Sequence, residues 1–259
     1  MPNRIIFALQ KGGVGKTTST AACAEILAAA GYKVLCVDFD PQGNLTKMLT
    51  QESIYKYTGK TIMEAVADGD AEPYIIPVGD NLDLIPAEDN LATFSRFIYT
   101  SRIDKPYATL KRVLEPVEAK YDYVFVDVGP TLGDTLVNAI VYTDYVITPV
   151  DLGDFAMDAL IRFLSFVDKA REEGHTAAQV IGILLTMRDN RTRYDREVSE
   201  GIREAYSDMV FRSEIRRRTD IKEMSGVGVN MNDPAMEDYI ALSEEIIERI
   251  IRKGGKTHE

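Results

Sequence analysis

Tryptophan is absent from this 259-residue chain, and cysteine and histidine occur only twice each. Two cysteines cannot build a disulfide framework. Cys23 and Cys36 fall inside apolar patterns, one in an expected helix and one in an expected strand, where core filling is the natural role. His175 and His258 have no partners at ligand spacing, so no zinc-type site is expected. Cations are also in short supply: 30 Lys and Arg stand against 41 Asp and Glu, a net charge of −11. Such a surface repels polyanions on average, and contact with nucleic acid would need a local basic patch. No apolar stretch is long enough for a membrane span or a signal peptide. Neither a Pro/Ser-rich linker nor an internal repeat divides the chain. These absences imply one domain over residues 1–259, in a reducing cytoplasm.

What the chain does have is Gln10-Lys11-Gly12-Gly13-Val14-Gly15-Lys16-Thr17-Thr18. The apolar run Ile5 to Leu9 leads into it, and a helical pattern from Thr17 to Ala30 leaves it. Strand, glycine loop and helix form the context of a phosphate-binding loop. Glycines let backbone N–H groups converge where a Cβ would crowd an anion. Lys16 would reach terminal phosphates, the Thr17 hydroxyl would complete a Mg²⁺ shell, and the helix start adds its positive dipole end. Two further strands that are apolar throughout, Val34 to Val37 and Tyr123 to Val126, each run into a carboxylate, Asp38 and Asp127. Apolar strands alternating with helices predict a doubly wound, mostly parallel α/β sheet with helices on both faces. Ligands bind at the carboxyl edge of such sheets. Asp127 has the form of a Walker B ligand, holding Mg²⁺ through water.

Lys11-Gly12-Gly13-Val14-Gly15-Lys16-Thr17-Thr18 resembles the deviant Walker A motif of the ParA/MinD family of P-loop ATPases. Asp38-Phe39-Asp40-Pro41-Gln42-Gly43-Asn44 is similar to that family's second motif, and the likeness runs from Arg4 to about Ile251. The resemblance implies ATP and Mg²⁺ as cofactors and an ATP-dependent homodimer in which Lys11 crosses to the other subunit's phosphates. It gives Lys11, Lys16 and Asp40 catalytic roles, Asp40 by orienting the attacking water. It adds Asp38 to the metal shell of Thr17 and Asp127. Residues Lys11 to Thr18 would contact nucleotide, with Met187 near the adenine. Where the family commonly has two prolines after the Walker B carboxylate, this chain has Val128-Gly129-Pro130.

The function implied is DNA partition, of plasmid or chromosome, with a separate ParB-like centromere-binding protein, in the cytoplasm and in association with the nucleoid. Arg191, Arg193, Arg216, Arg217, Arg218 and Lys222 are the candidate phosphate contacts to non-specific DNA. Against them stand the acidic total and Asp220, which sits where related chromosomal proteins often have arginine. With the glycine loop starting at residue 10, no helix-turn-helix domain is expected ahead of it. Two other functions remain open: an ATP switch that positions another cargo, and a nucleotide-dependent docking module with little turnover. The last helix, with Tyr239, Leu242, Ile246 and Ile250 mostly on one face, reads as core packing, because Lys253-Gly254-Gly255-Lys256 is too short for a membrane-binding tail.

Overall fold

In a computed structural model, residues 1–153, 155–188, 193–217, 228–231 and 233–255 are described. Eight strands form one sheet: β1 (Asn3–Phe7), β2 (Val34–Phe39), β3 (Ile76–Gly79), β4 (Leu82–Ile85), β5 (Tyr123–Val128), β6 (Tyr145–Asp151), β7 (Gln179–Arg188) and β8 (Val210–Arg216). Their spatial order is β3-β4-β2-β5-β1-β6-β7-β8. Every pairing is parallel except β3 with β4, an antiparallel hairpin at one edge.

The helices are α1 (Lys16–Ala29), α2 (Asn44–Thr50), α3 (Ile62–Asp68), α4 (Phe94–Thr100), α5 (Thr109–Leu114), α6 (Asp134–Tyr142), α7 (Ala156–Glu172), α8 (Arg193–Tyr206) and α9 (Met236–Arg252). They cover both faces, because successive strand residues feed two separate cores. Ile5 and Phe7 of β1 pack with Ala21, Cys23 and Leu27 of α1, Leu45 of α2 and Leu242 and Ile246 of α9. Ile6 and Ala8 pack on the other side with Ile62, Leu110, Ile140 and Phe163. Both cysteines are fully buried thiols in the first of these cores, and burial pushes Cys23 up to about 12. Their expected role as packing groups holds.

Residues 106–120 carry Leu110, Val113, Leu114 and Val117 at helical spacing, and there α5 lies between two short 3-10 turns and ends just before Pro116, as that proline predicts. The apolar pair Val210 and Phe211 has the pattern of a short strand, and the strand continues past it to Arg216. The last helix begins at Met236 rather than at Pro234, and the Asp233 carboxylate accepts from the Ala235 N–H at 2.7 Å. Among the described residues no helix is long and apolar enough to cross a membrane.

Candidate functional site

At the carboxyl edge of β1, Gly13 and Gly15 turn the chain with φ of +75° and +83°, values that favour glycine. A Cβ built on Gly12 or Gly13 would meet no atom within 4 Å among the described residues. The missing side chains therefore relieve no internal crowding; what they keep clear is the hollow above the loop. Helix α1 starts directly after Gly15 with no side-chain cap, so its first N–H groups point into that hollow. Thr186, near the end of β7, donates its hydroxyl to the Val14 carbonyl at 3.0 Å and anchors the loop from the far side. Met187 follows with φ of +54°, half-buried beside the loop's anchor.

Beneath the loop, the parallel register sets Asp38 of β2 beside Asp127 of β5, on the face covered by α1. Both carboxylates are fully buried. Thr17 donates its hydroxyl to Asp127 Oδ2 at 2.7 Å, while Oδ1, also buried, has no hydrogen-bond partner among the described residues. Burial and the neighbouring Asp38 push Asp127 well above the usual carboxylate range, against the pull of Thr17 and Lys16. Asp38 is pushed up to about 6 by burial, against hydrogen bonds from Thr46 and Asp40. Lys16 is buried as well, and burial lowers its ammonium against the attraction of Asp127 and Asp40.

These details test a hard divalent cation. An unsatisfied buried carboxylate oxygen beside a threonine hydroxyl is a fitting donor pair for Mg²⁺. Among the described residues no cluster of three or more His, Cys, Asp and Glu forms a protein cage. Mg²⁺ needs few protein oxygens, since substrate phosphates and water complete its shell. Asp38 fits less directly. Its Oδ2 accepts from the Thr46 N–H at 2.8 Å and the Thr46 hydroxyl at 2.7 Å, and its Oδ1 accepts from the Asp40 N–H at 3.2 Å. Its visible work is to hold the start of α2 against the sheet.

Asp40 is largely buried and close enough to the loop for its charge to attract the Lys16 ammonium. Its Oδ1 accepts from the Gln42 N–H at 3.0 Å, and Oδ2 has no hydrogen bond among the described residues. The Lys16 ammonium donates to the Lys11 carbonyl at 2.8 Å. Lys11 itself bonds Asp151 Oδ1 at 2.6 Å within the same chain, at the carboxyl end of β6. Residues Lys11 to Thr18, Asp38, Asp40 and Asp127 thus gather at one sheet edge, with Met187 at its rim. Asp151 and Thr46 were missed in the sequence. Asp151 carried the same signal as Asp38, a carboxylate closing an apolar strand; Thr46 carried none.

The basic candidates do not gather so well. Arg193 is almost fully exposed and pairs with Glu197 at 2.7 Å. Arg217 is exposed. Arg216 is spoken for: its Nε donates to Asp238 Oδ1 and Oδ2 at 3.0 and 3.1 Å, so the expected phosphate contact is a structural tie to α9. Arg191, Arg218 and Lys222 lie outside the described residues.

Comparison with known proteins finds relatives that match most of the chain. The AAA domain family matches residues 3–180. The sporulation initiation inhibitor protein Soj of Bacillus subtilis is 34% identical over 253 residues, covering 92% of this chain and 95% of Soj. The chromosome partitioning protein ParA of Caulobacter vibrioides is 30% identical, covering 96% of this chain and 95% of ParA. Among solved structures, a plasmid partition protein of Borrelia burgdorferi B31 bound to AMPPNP superposes with a TM-score of 0.81 at 30% identity. That match covers 97% of this chain and 99% of the Borrelia chain.

Proposed function

This chain belongs to the ParA/MinD family of P-loop ATPases, and we propose that it is a cytoplasmic partition ATPase that dimerises on ATP, hydrolyses it to ADP and phosphate, and moves DNA with a ParB-like partner. The observation that carries this reading is the glycine loop beside a buried carboxylate, Asp127, whose one oxygen holds Thr17 and whose other has no partner among the described residues. Backbone N–H groups of the loop and the Lys16 ammonium would bind the nucleotide's phosphates. Thr17 and, through water, Asp127 would hold Mg²⁺, which supplies neutralisation of phosphate charge. Asp40, whose Oδ2 has no hydrogen bond among the described residues, would orient the attacking water; phosphoryl transfer needs that positioning more than covalent help. Lys11 would serve the second subunit's site.

Calorimetry on Lys16→Ala tests the core of this. Removal of the point charge at the β/γ-phosphates should abolish measurable Mg-ATP binding in a folded protein. Undiminished affinity would overturn the assignment. Partition itself is tested by turnover: a ParB-like protein with centromere DNA should stimulate the ATPase. The −11 balance and the Arg216–Asp238 pair favour a second reading, in which the same switch positions another cargo. Stimulation by a partner that binds no DNA would select it.

A further inference from the structure

Phe155 breaks three local rules at once. It is 78% exposed, more than any other large apolar side chain among the described residues except Met1. Its φ of +64° and ψ of +13° lie in the left-handed region, where a bulky side chain is strained. It also stands at the N-cap of α7 without a side-chain hydrogen bond, where Asp, Asn, Ser or Thr would supply one. A ring so exposed adds little to its own chain's core, while the backbone beneath it costs stability. Departures of this kind gather at working sites.

The position of Phe155 indicates what it serves. It stands just past Asp151, the last residue of β6, and β6 lies beside β1 and its glycine loop. Asp151 holds the Lys11 ammonium at 2.6 Å, and a Cβ built on Gly153 would lie 3.5 Å from that same nitrogen. The Ala156 N–H donates back to the Gly153 carbonyl at 3.2 Å, which keeps Phe155 beside this point. For Lys11 to act on a second subunit's phosphates, that subunit must come within a lysine's reach of this turn. In a two-fold dimer the same patch serves both subunits, so one phenylalanine is used twice.

We propose that Phe155 is the apolar anchor of the ATP dimer, seated against a second copy of this chain beside the crossing Lys11. The proposal rests on the dimer reading given above and names the contact that holds it. Charges such as Lys11 steer and orient assembly, whereas a desolvated aromatic side chain slows its separation.

The test is ATP-dependent dimerisation, ATP affinity and melting without nucleotide for the parent, Phe155→Ser, Phe155→Gly, Ile161→Ser and Lys11→Ala. Ile161 is a half-exposed apolar side chain on the same helix, but it lies beside Val180 and Met209, near the starts of β7 and β8. Both Phe155 variants should dimerise at least roughly 30-fold more weakly, with monomer ATP affinity within about twofold of the parent. Phe155→Gly should also melt about 1–3 °C higher, since glycine takes this φ without strain. Ile161→Ser should dimerise like the parent. Parental dimerisation of Phe155→Ser, or equal weakening in Ile161→Ser, overturns the proposal. So does lost ATP affinity in monomeric Phe155→Ser, which would seat the ring on nucleotide. A lower melting point for Phe155→Gly overturns it too, by making the ring a packing group of its own chain. Lys11→Ala separates the two layers. A parent that stays monomeric with ATP removes the dimer reading and the role of Phe155 with it. If Phe155→Ser dimerises like the parent while Lys11→Ala stays monomeric, only the role of Phe155 falls.

Discussion

Lys11 and Asp127 are the single side chains on which the proposed switch would turn. The Lys11–Asp151 pair is partly exposed, with about a quarter of each side chain accessible, so it contributes at most about 1 kcal/mol. For Lys11 to serve a second subunit it must leave Asp151. Each dimer breaks two such pairs, up to roughly 2 kcal/mol, or about 30-fold in the dimerisation constant. Asp151→Asn should therefore dimerise at lower protein concentration with ATP, whereas Lys11→Ala should stay monomeric; light scattering against concentration reads both. Asp127 makes the opposite kind of trade. Its carboxyl is raised above the unfolded value by burial and by Asp38, so ionisation disfavours the fold, and stability falls as pH rises through the raised value. At neutral pH, Asp127→Asn should melt higher than the parent without nucleotide, by a few °C, because a buried charge is gone. Mg-ATP should then raise the parent's melting temperature strongly and the variant's little. A variant that melts lower than the parent without nucleotide would show that Asp127 is a stabilising ion, contrary to this account.

At the scale of elements, α9 completes the sheet. Strand β8 is an edge, and an edge leaves N–H groups without ladder partners. Glu245 of α9 accepts from the Arg212 and Ser213 N–H groups at 3.0 and 2.9 Å, from the Ser213 hydroxyl at 2.9 Å, and from Arg249. Two turns earlier, Asp238 takes the Arg216 N–H at 3.2 Å and its guanidinium. Burial alone would raise Glu245, yet these donors pull it below the ordinary value. A depressed carboxylate stabilises above its unfolded pKa of about 4.3 and loses that contribution as pH falls through the folded value. Glu245→Gln should cost about 2 kcal/mol at pH 7, and the gap to the parent should close between about pH 5 and pH 3; urea midpoints against pH measure it. The same contacts explain why β8 looked two residues long in the sequence. Val210 and Phe211 are apolar, but Arg212 to Arg216 are held extended by acceptors 22 to 33 residues later, and no local pattern carries that. Where periodicity is local the sequence sufficed: apolar strands ending in Asp38 and Asp127 lie where their patterns predict them. Helix α2 escaped notice because it follows Gly43 in a left-handed conformation and is fixed by Thr46 on the buried Asp38.

Across the whole molecule the open question is charge. A chain at −11 meets DNA only through a local patch, and dimerisation would double each basic segment on one assembly, so contacts too weak singly could act together. The structure sorts the candidates. Arg217 is exposed, and Arg193 is exposed with only a surface pairing to Glu197, so both could turn to phosphates. Arg216 could do so only by leaving Asp238, a largely buried carboxylate that would then lack its cation. The two neighbours should therefore fail differently. Arg217→Ala should leave stability unchanged and lower the log–log salt slope of binding to random-sequence duplex by about 0.9 for each phosphate no longer neutralised, roughly 1.8 for an ATP dimer. Arg216→Ala should leave that slope nearly unchanged while destabilising the fold by roughly 1–3 kcal/mol, because Asp238 is left with an unpaired charge. Binding itself is expected only with ATP and mainly at low salt. A parent without affinity for duplex at low ionic strength, ATP present, removes direct DNA binding and moves cargo positioning ahead. A parent that binds, with a slope that falls in Arg216→Ala and not in Arg217→Ala, would mean that the Asp238 tie opens in the dimer and that the basic surface is built by assembly.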